Sequence, residues 1–289
     1  MKPILRALRV DNYIKNIVIL LPGVFGAKIF ESSIFWPVLL SILLFSLLSS
    51  GIYLINDLAD REEDSLHPQK KFRPIAAGDI SLTVATVASL VLLFTASIGA
   101  YIWLPQAALL LFIAYVALNL FYTFLLKKIV LIEFFTVALF FELRLFIGGI
   151  IANAPPSHWL ILTTFFLAVL IALGKRRDDL LLFEQTGTLT RRSMNSYNRV
   201  YLDSLLTIFA ASLVLIYVLY TISDPVMTRF SPYFYFTNLF VLLGLSRYLQ
   251  QLFVKSNSGN PIQLLLRDRY IQVCVLSWIV LVMYFIYGV

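Results

Sequence analysis

Long uninterrupted apolar runs, such as LLSILLFSLL and VLLFTASIGAYIWL, constrain this chain more than any other feature. A helix needs about 20 mainly apolar residues to cross a hydrocarbon core roughly 30 Å thick. Strands of a membrane β-barrel would instead alternate apolar and polar residues, which these runs do not. With 60% hydrophobic and 13% charged residues, the composition is not that of an ordinary soluble domain. The sequence therefore predicts an all-α integral membrane protein.

The apolar runs divide into about nine candidate transmembrane helices when they are measured against that length. Their approximate ranges are 16–31, 34–56, 82–103, 106–126, 129–151, 157–174, 203–222, 233–252 and 270–288. They form a single transmembrane domain over residues 1–289, with two long charged loops at about 57–81 and 175–202. We expect the chemistry of the protein to lie at these loops.

The basic residues fall on one side of this arrangement. With the N-terminus inside, 20 of the 23 Lys and Arg residues lie in cytoplasmic segments, and only Lys28, Arg229 and the intramembrane Arg144 do not. Cytoplasmic loops carry the excess of positive charge in membrane proteins. The sequence thus predicts a protein of the cytoplasmic (inner) membrane, with its N-terminus and its active site in the cytoplasm and its C-terminus outside.

The first charged loop opens with three regularly spaced aspartates. If the second helix continues past the membrane, Asp57, Asp60 and Asp64 share one face and Asn56 lies beside them. Like charges on one helical face repel each other, so this arrangement favours a bound cation. Carboxylates suit Mg²⁺, which leaves other coordination positions for water and substrate phosphates. A solvated connection without a ligand is the alternative.

The second half of the same loop is basic. Pro68 ends the predicted helix, and Lys70, Lys71 and Arg73 then bring positive charge to the same neighbourhood. Such cations could hold the far side of a metal-bound diphosphate. His67 fits a phosphate contact and a structural hydrogen bond equally well.

Cations also crowd the second charged loop. It contains Lys175, Arg176, Arg177, Arg191, Arg192 and Arg199, together with Asp178 and Asp179. Basic residues beside a membrane often only bind anionic headgroups or set the topology. Six cations exceed that need, which favours binding of a substrate phosphate.

A few ionisable residues stand in or beside the apolar runs. Lys15 precedes the first span, Glu142 and Arg144 lie within the fifth, and Arg267 and Arg269 precede the ninth. An ionisable residue within a span is costly and therefore indicates function. Glu142 and Arg144 are not expected to pair, because residues two apart on a helix point in different directions.

The segment NDLADREED resembles the N-D-x-x-D-x-x-x-D motif of the UbiA-type membrane prenyltransferase superfamily, and RPIAAG resembles the motif that follows it. The longer form HPQKKFRPIAAG is similar to the branch that makes decaprenylphosphoryl-phosphoribose. Weaker matches are YIKN at 13–16, GKR at 174–176 and LRDR at 266–269.

The resemblance implies a bundle of nine transmembrane helices with a cytoplasm-facing, Mg²⁺-dependent site. The implied reaction transfers 5-phosphoribosyl from phosphoribosyl diphosphate (PRPP) to a decaprenyl-like polyprenyl phosphate and feeds cell-envelope synthesis. Prenyl-transferring relatives carry a second motif, D-x-x-x-D, which Asp178, Asp179 and Glu184 do not reproduce. The role of these three acids stays open. The partners are the two substrates and the bilayer, without nucleic acid, and a homo-oligomer is possible.

The candidate site residues fall into three groups. The aspartates Asp57, Asp60 and Asp64 would hold the metal and act in catalysis; Asn56, Lys70 and Arg73 would hold the diphosphate; and Lys15, Arg144, Lys175, Arg176, Arg267 and Arg269 would contact the lipid phosphate or other anionic groups. One alternative is prenyl transfer from a polyprenyl diphosphate to an aromatic acceptor. A second is a lipid transporter or scaffold without enzymatic activity.

Overall fold

The computed structural model describes residues 3–186, 196–255 and 261–288, and every regular element in these ranges is a helix. The α-helices are α1 (Pro3–Ala7), α2 (Leu21–Phe25), α3 (Ser32–Ala59), α4 (Arg61–Leu66), α5 (Leu82–Trp103), α6 (Gln106–Phe124), α7 (Ile132–Ile151), α8 (His158–Thr186), α9 (Arg199–Thr221), α10 (Asp224–Arg229), α11 (Thr237–Phe253), α12 (Pro261–Arg267) and α13 (Arg269–Tyr287). Within the described ranges, 3₁₀ helices span Val10–Leu20, Lys70–Phe72, Leu126–Lys128 and Phe234–Phe236. The predicted all-α class is confirmed.

Seven helices of the described ranges, α3, α5, α6, α7, α8, α9 and α13, are long and apolar enough to cross a membrane. The predicted number of nine is therefore not confirmed. The span predicted at 233–252 corresponds to α11, whose 17 residues fall short of the about 20 required.

The first predicted span, 16–31, is wrong as a single helix. The chain there forms the 3₁₀ helix Val10–Leu20 and then the short α2. Pro22 lacks the N–H that a continuous helix would need, and Gly23 and Gly26 have poor helix propensity. Apolar composition alone did not reveal this interruption.

The described residues fall into two compact units. The first is drawn from residues 1–136 and 140–156, and the second from 137–139 and 157–289. The acidic motif belongs to the first unit and the basic segment that follows Gly174 belongs to the second. Each unit therefore contains one of the two predicted groups of charge.

Helices α3 and α5 pack closely in the first unit. A Cβ on Gly51 would lie 2.9 Å from Leu93 Cγ, and a Cβ on Gly99 would lie 2.6 Å from Leu44 Cδ2. The hydroxyl of Ser89 also donates to the Gly51 carbonyl at 2.9 Å. Small residues allow helices to approach each other closely. Close packing matters in a membrane, because lipid tails leave no hydrophobic driving force for helix association. This packing fixes the path of α3 toward the acidic motif.

A small apolar core lies at that end of α3. It consists of Ala7, Leu54, Ile75, Ile80 and Ala85. These residues join α1, α3, the loop after Arg73 and the start of α5. The core thereby holds Arg9 and Arg73, which are distant in sequence, beside the end of α3.

In the second unit α8 runs through to Thr186, so the loop predicted from residue 175 is wrong over its first part. Arg176 and Asp179 form an i, i+3 ion pair at 2.9 Å that supports the helix. The helix also approaches α11 closely, since a Cβ on Gly174 would lie 2.3 Å from Tyr248 Oη. Arg191 and Arg192 lie outside the described residues.

Candidate active site

The helix carrying the aspartates is interrupted at Asp60. Helix α3 ends at Ala59, Asp60 has φ −95° and ψ 6°, and α4 begins at Arg61. The predicted continuous helix is therefore wrong, although α4 does end before Pro68 as expected. Asp57 thus lies on α3, Asp64 on α4 and Asp60 at the break between them. The three carboxylates do not form a single stripe.

Asp57 and Asp64 nevertheless converge on one atom. The Nη1 atom of Arg73 donates to Asp57 Oδ1 at 3.2 Å and to Asp64 Oδ2 at 2.5 Å. Both aspartates are buried, with 2% and 4% of their surface exposed. A single cationic nitrogen therefore bridges carboxylates from two helices.

Two further cations complete this network, and sequence reasoning missed both. Arg9 Nη2 donates to Asp57 Oδ1, and Lys127 Nζ donates to Asp60 Oδ1. The guanidinium of Arg9 also lies 4.9 Å from the centre of the Tyr53 ring. Arg9 directly precedes the 3₁₀ helix Val10–Leu20, and Lys127 lies on the 3₁₀ helix Leu126–Lys128. Neither residue is near the motif in sequence, so only the tertiary fold brings them to the aspartates.

The donor atoms suit a hard divalent cation, but their present arrangement does not form a complete metal site. Across the described ranges, no three acidic, histidine or cysteine side chains are grouped closely enough to hold a metal ion. Asp60 pairs with Lys127 while Asp57 and Asp64 share Arg73. Carboxylate oxygens, such as the two that now face the Arg73 nitrogen, are ligands that Mg²⁺ prefers. The residues fit Mg²⁺ if Arg73 gives up that position.

The neighbouring polar residues are held by hydrogen bonds. Asn56 Oδ1 accepts from the hydroxyl of Thr123. His67 is buried, and its Nδ1 accepts from the backbone N–H groups of Gln69 at 3.1 Å and Lys70 at 3.2 Å. These bonds favour the structural interpretation of His67. Lys70 itself is half-buried in the 3₁₀ helix that leads to Arg73.

Arg144 is buried deep in the first unit, with 3% of its surface exposed. Its guanidinium donates to Asn16 Oδ1 at 2.9 Å, the Phe140 carbonyl at 2.6 Å and the Tyr115 hydroxyl at 2.8 Å. It also lies 4.8 Å from the centre of the Phe45 ring. In the described part of the chain no carboxylate pairs with it. Its contacts within the described ranges are therefore with neutral groups.

Lys15 lies close to Arg144 and before the first candidate span. Burial, together with the positive charges of Arg144 and Arg9, lowers the pKa of Lys15 to about 8. Glu142 is also buried, and its carboxylate oxygens have no hydrogen-bond partner among the described residues. The prediction that Glu142 and Arg144 do not pair is confirmed.

In the second unit the basic residues have very different surroundings. Lys175 is exposed, whereas Arg176 is buried and pairs with Asp179. Arg177 has no exposed surface, and it donates to Asp203 Oδ1 at 2.5 Å and to the Leu252 carbonyl at 2.7 Å. Arg177 therefore joins α8 to α9 and to the end of α11.

The predicted residues Arg267 and Arg269 are exposed on either side of Asp268. Asp268 caps α13 through the N–H groups of Tyr270 and Ile271. It also accepts from Arg247 at 2.9 Å and from Gln251 at 2.5 Å. Within LRDR, Asp268 therefore has a structural role, and Arg267 and Arg269 are exposed cations.

Two similar proteins are named decaprenyl-phosphate phosphoribosyltransferase. The one from Mycobacterium tuberculosis is 32% identical over 282 residues, which cover 96% of this chain and 91% of the relative. The one from Corynebacterium glutamicum is 32% identical over 288 residues, which cover 98% and 86%. The likeness therefore extends over nearly the whole chain.

The fold of the chain is similar to that of a solved structure. The structure of a UbiA homolog from Archaeoglobus fulgidus bound to DMAPP and Mg²⁺ matches with a TM-score of 0.72 at 17% identity, covering 100% of both chains. The model of the UbiA prenyltransferase family matches residues 18–269. This integral membrane protein belongs to the UbiA prenyltransferase family.

Proposed function

We propose that the protein transfers 5-phosphoribosyl from PRPP to a polyprenyl phosphate, releasing diphosphate, with Mg²⁺ as cofactor. The convergence of Asp57 and Asp64 on one cationic nitrogen carries the proposal, because a metal-bound diphosphate needs such a pair of carboxylates. The names of the relatives that match nearly the whole chain favour PRPP as the donor.

Six polar residues in and beside the motif would hold the donor. Asp57 and Asp64 would hold Mg²⁺, joined by Asp60 once its pair with Lys127 opens. Bound there, the metal would neutralise charge on the departing diphosphate. Arg73 and Lys70 would hold phosphate oxygens, and Asn56 would position the diphosphate.

The transfer itself exchanges one C–O bond for another. The bond from ribose C1 to the diphosphate oxygen breaks, and the diphosphate keeps the electron pair. An oxygen of the lipid phosphate then bonds to C1. Carboxylates near the ribose would stabilise the positive charge that develops on its ring. Because the lipid phosphate is already an anion, it requires positioning rather than a general base.

The acceptor phosphate must be held by cations, and a cation that forms an ion pair must first leave its partner. In the first unit Lys15 is our main candidate, since no described carboxylate pairs with it or with Arg144. In the second unit the candidates are Lys175, Arg176, Arg267 and Arg269. The positive-inside distribution supports a cytoplasmic N-terminus, an external C-terminus and a cytoplasm-facing site.

An acceptor assay tests this function directly. Purified protein in lipid nanodiscs, given PRPP labelled in the ribose, a polyprenyl phosphate and Mg²⁺, should form a labelled product that extracts into organic solvent. Protein with Asp64→Asn serves as the control and should form almost none. A preparation that makes no such product but prenylates an aromatic acid would refute the proposal.

Prenyl transfer is the second candidate, and the DMAPP-bound structure of the homolog from Archaeoglobus fulgidus favours it. Against it, Asp179 is neutralised by Arg176 and the second aspartate motif of prenyl-transferring relatives is not reproduced. A transporter or scaffold would release no diphosphate in either assay, which separates that class from both enzymes.

A further inference from the structure

The acidic motif of the first unit is electrically balanced by its own chain. The carboxylates of Asp57, Asp60 and Asp64 are paired with Arg9, Arg73 and Lys127. The side chains of Asp57 and Asp64 are only 3% and 5% exposed, whereas Arg9 and Arg73 are 25% and 28% exposed. Asp57 and Asp64 are thus fixed in the interior, and their counter-ions reach in from the side of the solvent. The third pair differs, since the side chain of Lys127 is 14% exposed and that of Asp60 is 27% exposed.

We propose that these three cations are exchangeable counter-ions that keep free divalent metal out of the motif. Metal then enters together with an anionic donor, to which Arg9, Arg73 and Lys127 transfer as the aspartates turn to the metal. This inference rests on the proposed function, because it takes the three aspartates to be metal ligands. It adds Arg9 and Lys127 to the residues that control donor binding.

Electrostatics favours this order of events. A free Mg²⁺ entering the motif would have to displace cations whose side-chain acceptors among the described residues are these aspartates. The mutual repulsion of metal and cations is weakly screened in a partly buried site. A diphosphate supplies the missing acceptors, since its oxygens form strong charge-assisted hydrogen bonds with guanidinium and ammonium groups. The pairing therefore couples the binding of metal to the binding of donor.

Lys127 is the counter-ion whose removal is most informative. Its ammonium pairs with Asp60, whereas Arg73 bridges Asp57 and Asp64. It lies on the short 3₁₀ helix Leu126–Lys128. Because the stem of a lysine side chain is flexible, its ammonium can turn from one acceptor to another. Arg144 differs, because three neutral acceptors fix its guanidinium in place.

Metal binding without any donor tests the coupling. Mn²⁺, which shares the preference of Mg²⁺ for oxygen ligands, is titrated into intact purified protein and the free ion is followed by electron paramagnetic resonance. We expect Lys127→Gln to bind Mn²⁺ about tenfold more tightly than the wild type, in the usual range for coupled ligands. Arg9→Gln should act in the same direction, and it provides a second variant if Lys127→Gln does not fold.

Two matched controls isolate the effect of the ion pair. Lys128→Gln removes the same charge from the exposed neighbour and should bind Mn²⁺ as the wild type does, and so should Lys127→Arg. Equal, saturable binding by the wild type, Lys127→Gln and Lys128→Gln would overturn the coupling while leaving the metal assignment intact. Absence of saturable binding from every variant would overturn the proposal that these cations are what excludes the metal, while Mg²⁺-dependent product in the acceptor assay would leave the proposed function standing.

Discussion

The charge networks of the two units look alike in sequence but differ in which partner is buried. In the first unit the carboxylates of Asp57 and Asp64 are buried and Arg73, which bridges them, is partly exposed. In the second unit Arg177 is wholly buried, while the side chain of its partner Asp203 is 32% exposed. A buried carboxylate with a replaceable cation can accept a ligand, whereas a buried arginine joined to two helices holds the fold.

This difference teaches that the number of charges in a loop does not identify its role. The basic segment after Gly174 has more cations than the segment that contains the aspartates. Yet Arg176 and Arg177 are committed to Asp179 and Asp203. The first unit should therefore show large effects on turnover and the second large effects on stability.

The largest effect is expected from Asp64→Asn. The amide keeps the shape of the side chain and an oxygen that accepts from Arg73, so the variant should fold, but it removes a negative charge from the metal position. Loss of one such electrostatic group lowers turnover by about 100- to 1,000-fold. The labelled-product assay measures this loss, with gel filtration to count folded protein. The exposed Glu62→Gln is the matched control and should retain activity.

Arg177→Gln should mainly reduce stability. It leaves Asp203 and the Leu252 carbonyl without their buried partner, and breaking a buried pair costs about 3 kcal/mol of the free energy of unfolding. Unfolding in mixed micelles measures the change. Arg199→Gln is the control, since Arg199 contacts the same Asp203 at 3.8 Å but is 49% exposed, and surface pairs contribute only about 0–1 kcal/mol. Similar losses for both variants would contradict the distinction between the units.

Much of the fold follows from hydropathy, and its exceptions have identifiable causes. The apolar runs locate α3, α5, α6, α7, α9 and α13, because burial in lipid imposes length and composition together. They fail for the first predicted span, where a 3₁₀ helix gives way to the short α2 beside Pro22 and α2 ends before Gly26. They also end α8 too early, since Lys175 to Asp179 look like a loop although Arg176 and Asp179 pair along the helix.

The aspartates themselves could be found from their spacing, but their partners could not. Asp57 and Asp64 meet at Arg73 because the chain breaks at Asp60 and returns after Pro68. Nothing local to Arg9 or Lys127 indicates that they pair with the motif, since those contacts span 48 and 67 residues. Local patterns predict elements and ligand types; tertiary packing decides which charges meet.

The pH dependence of turnover tests the role of Lys15 in the first unit. Its pKa of about 8 in the folded protein lies below the usual value of 10.5, so the ammonium loses its proton as pH rises through 8. If that charge holds the lipid phosphate, kcat/KM for the acceptor should fall about tenfold between pH 7 and pH 9, because kcat/KM reports the free enzyme. Stability has the opposite sign, since above pH 8 the unfolded chain binds more protons than the folded one.

The control for Lys15 is Lys15→Arg. A guanidinium stays protonated throughout this pH range, so the fall in kcat/KM should disappear. Initial rates across the pH series, with polyprenyl phosphate well below saturation, measure both profiles. If the arginine variant shows the same fall as the wild type, the pH dependence comes from another group and Lys15 is not the acceptor contact.

The smallest effect is expected from Arg6→Gln. This variant tests whether the effect of losing an ion pair depends on the burial of the pair. Arg6 pairs with Asp79 at 3.6 Å, but the two side chains are 47% and 42% exposed. Water and salt screen such a pair, so its loss should change the free energy of unfolding by less than about 0.5 kcal/mol and leave turnover and Mn²⁺ affinity unchanged. Arg9→Gln, three residues along the chain, removes the same charge from a buried aspartate and should alter metal affinity. A loss of stability above about 1 kcal/mol for Arg6→Gln would mean that exposed pairs also hold this unit together.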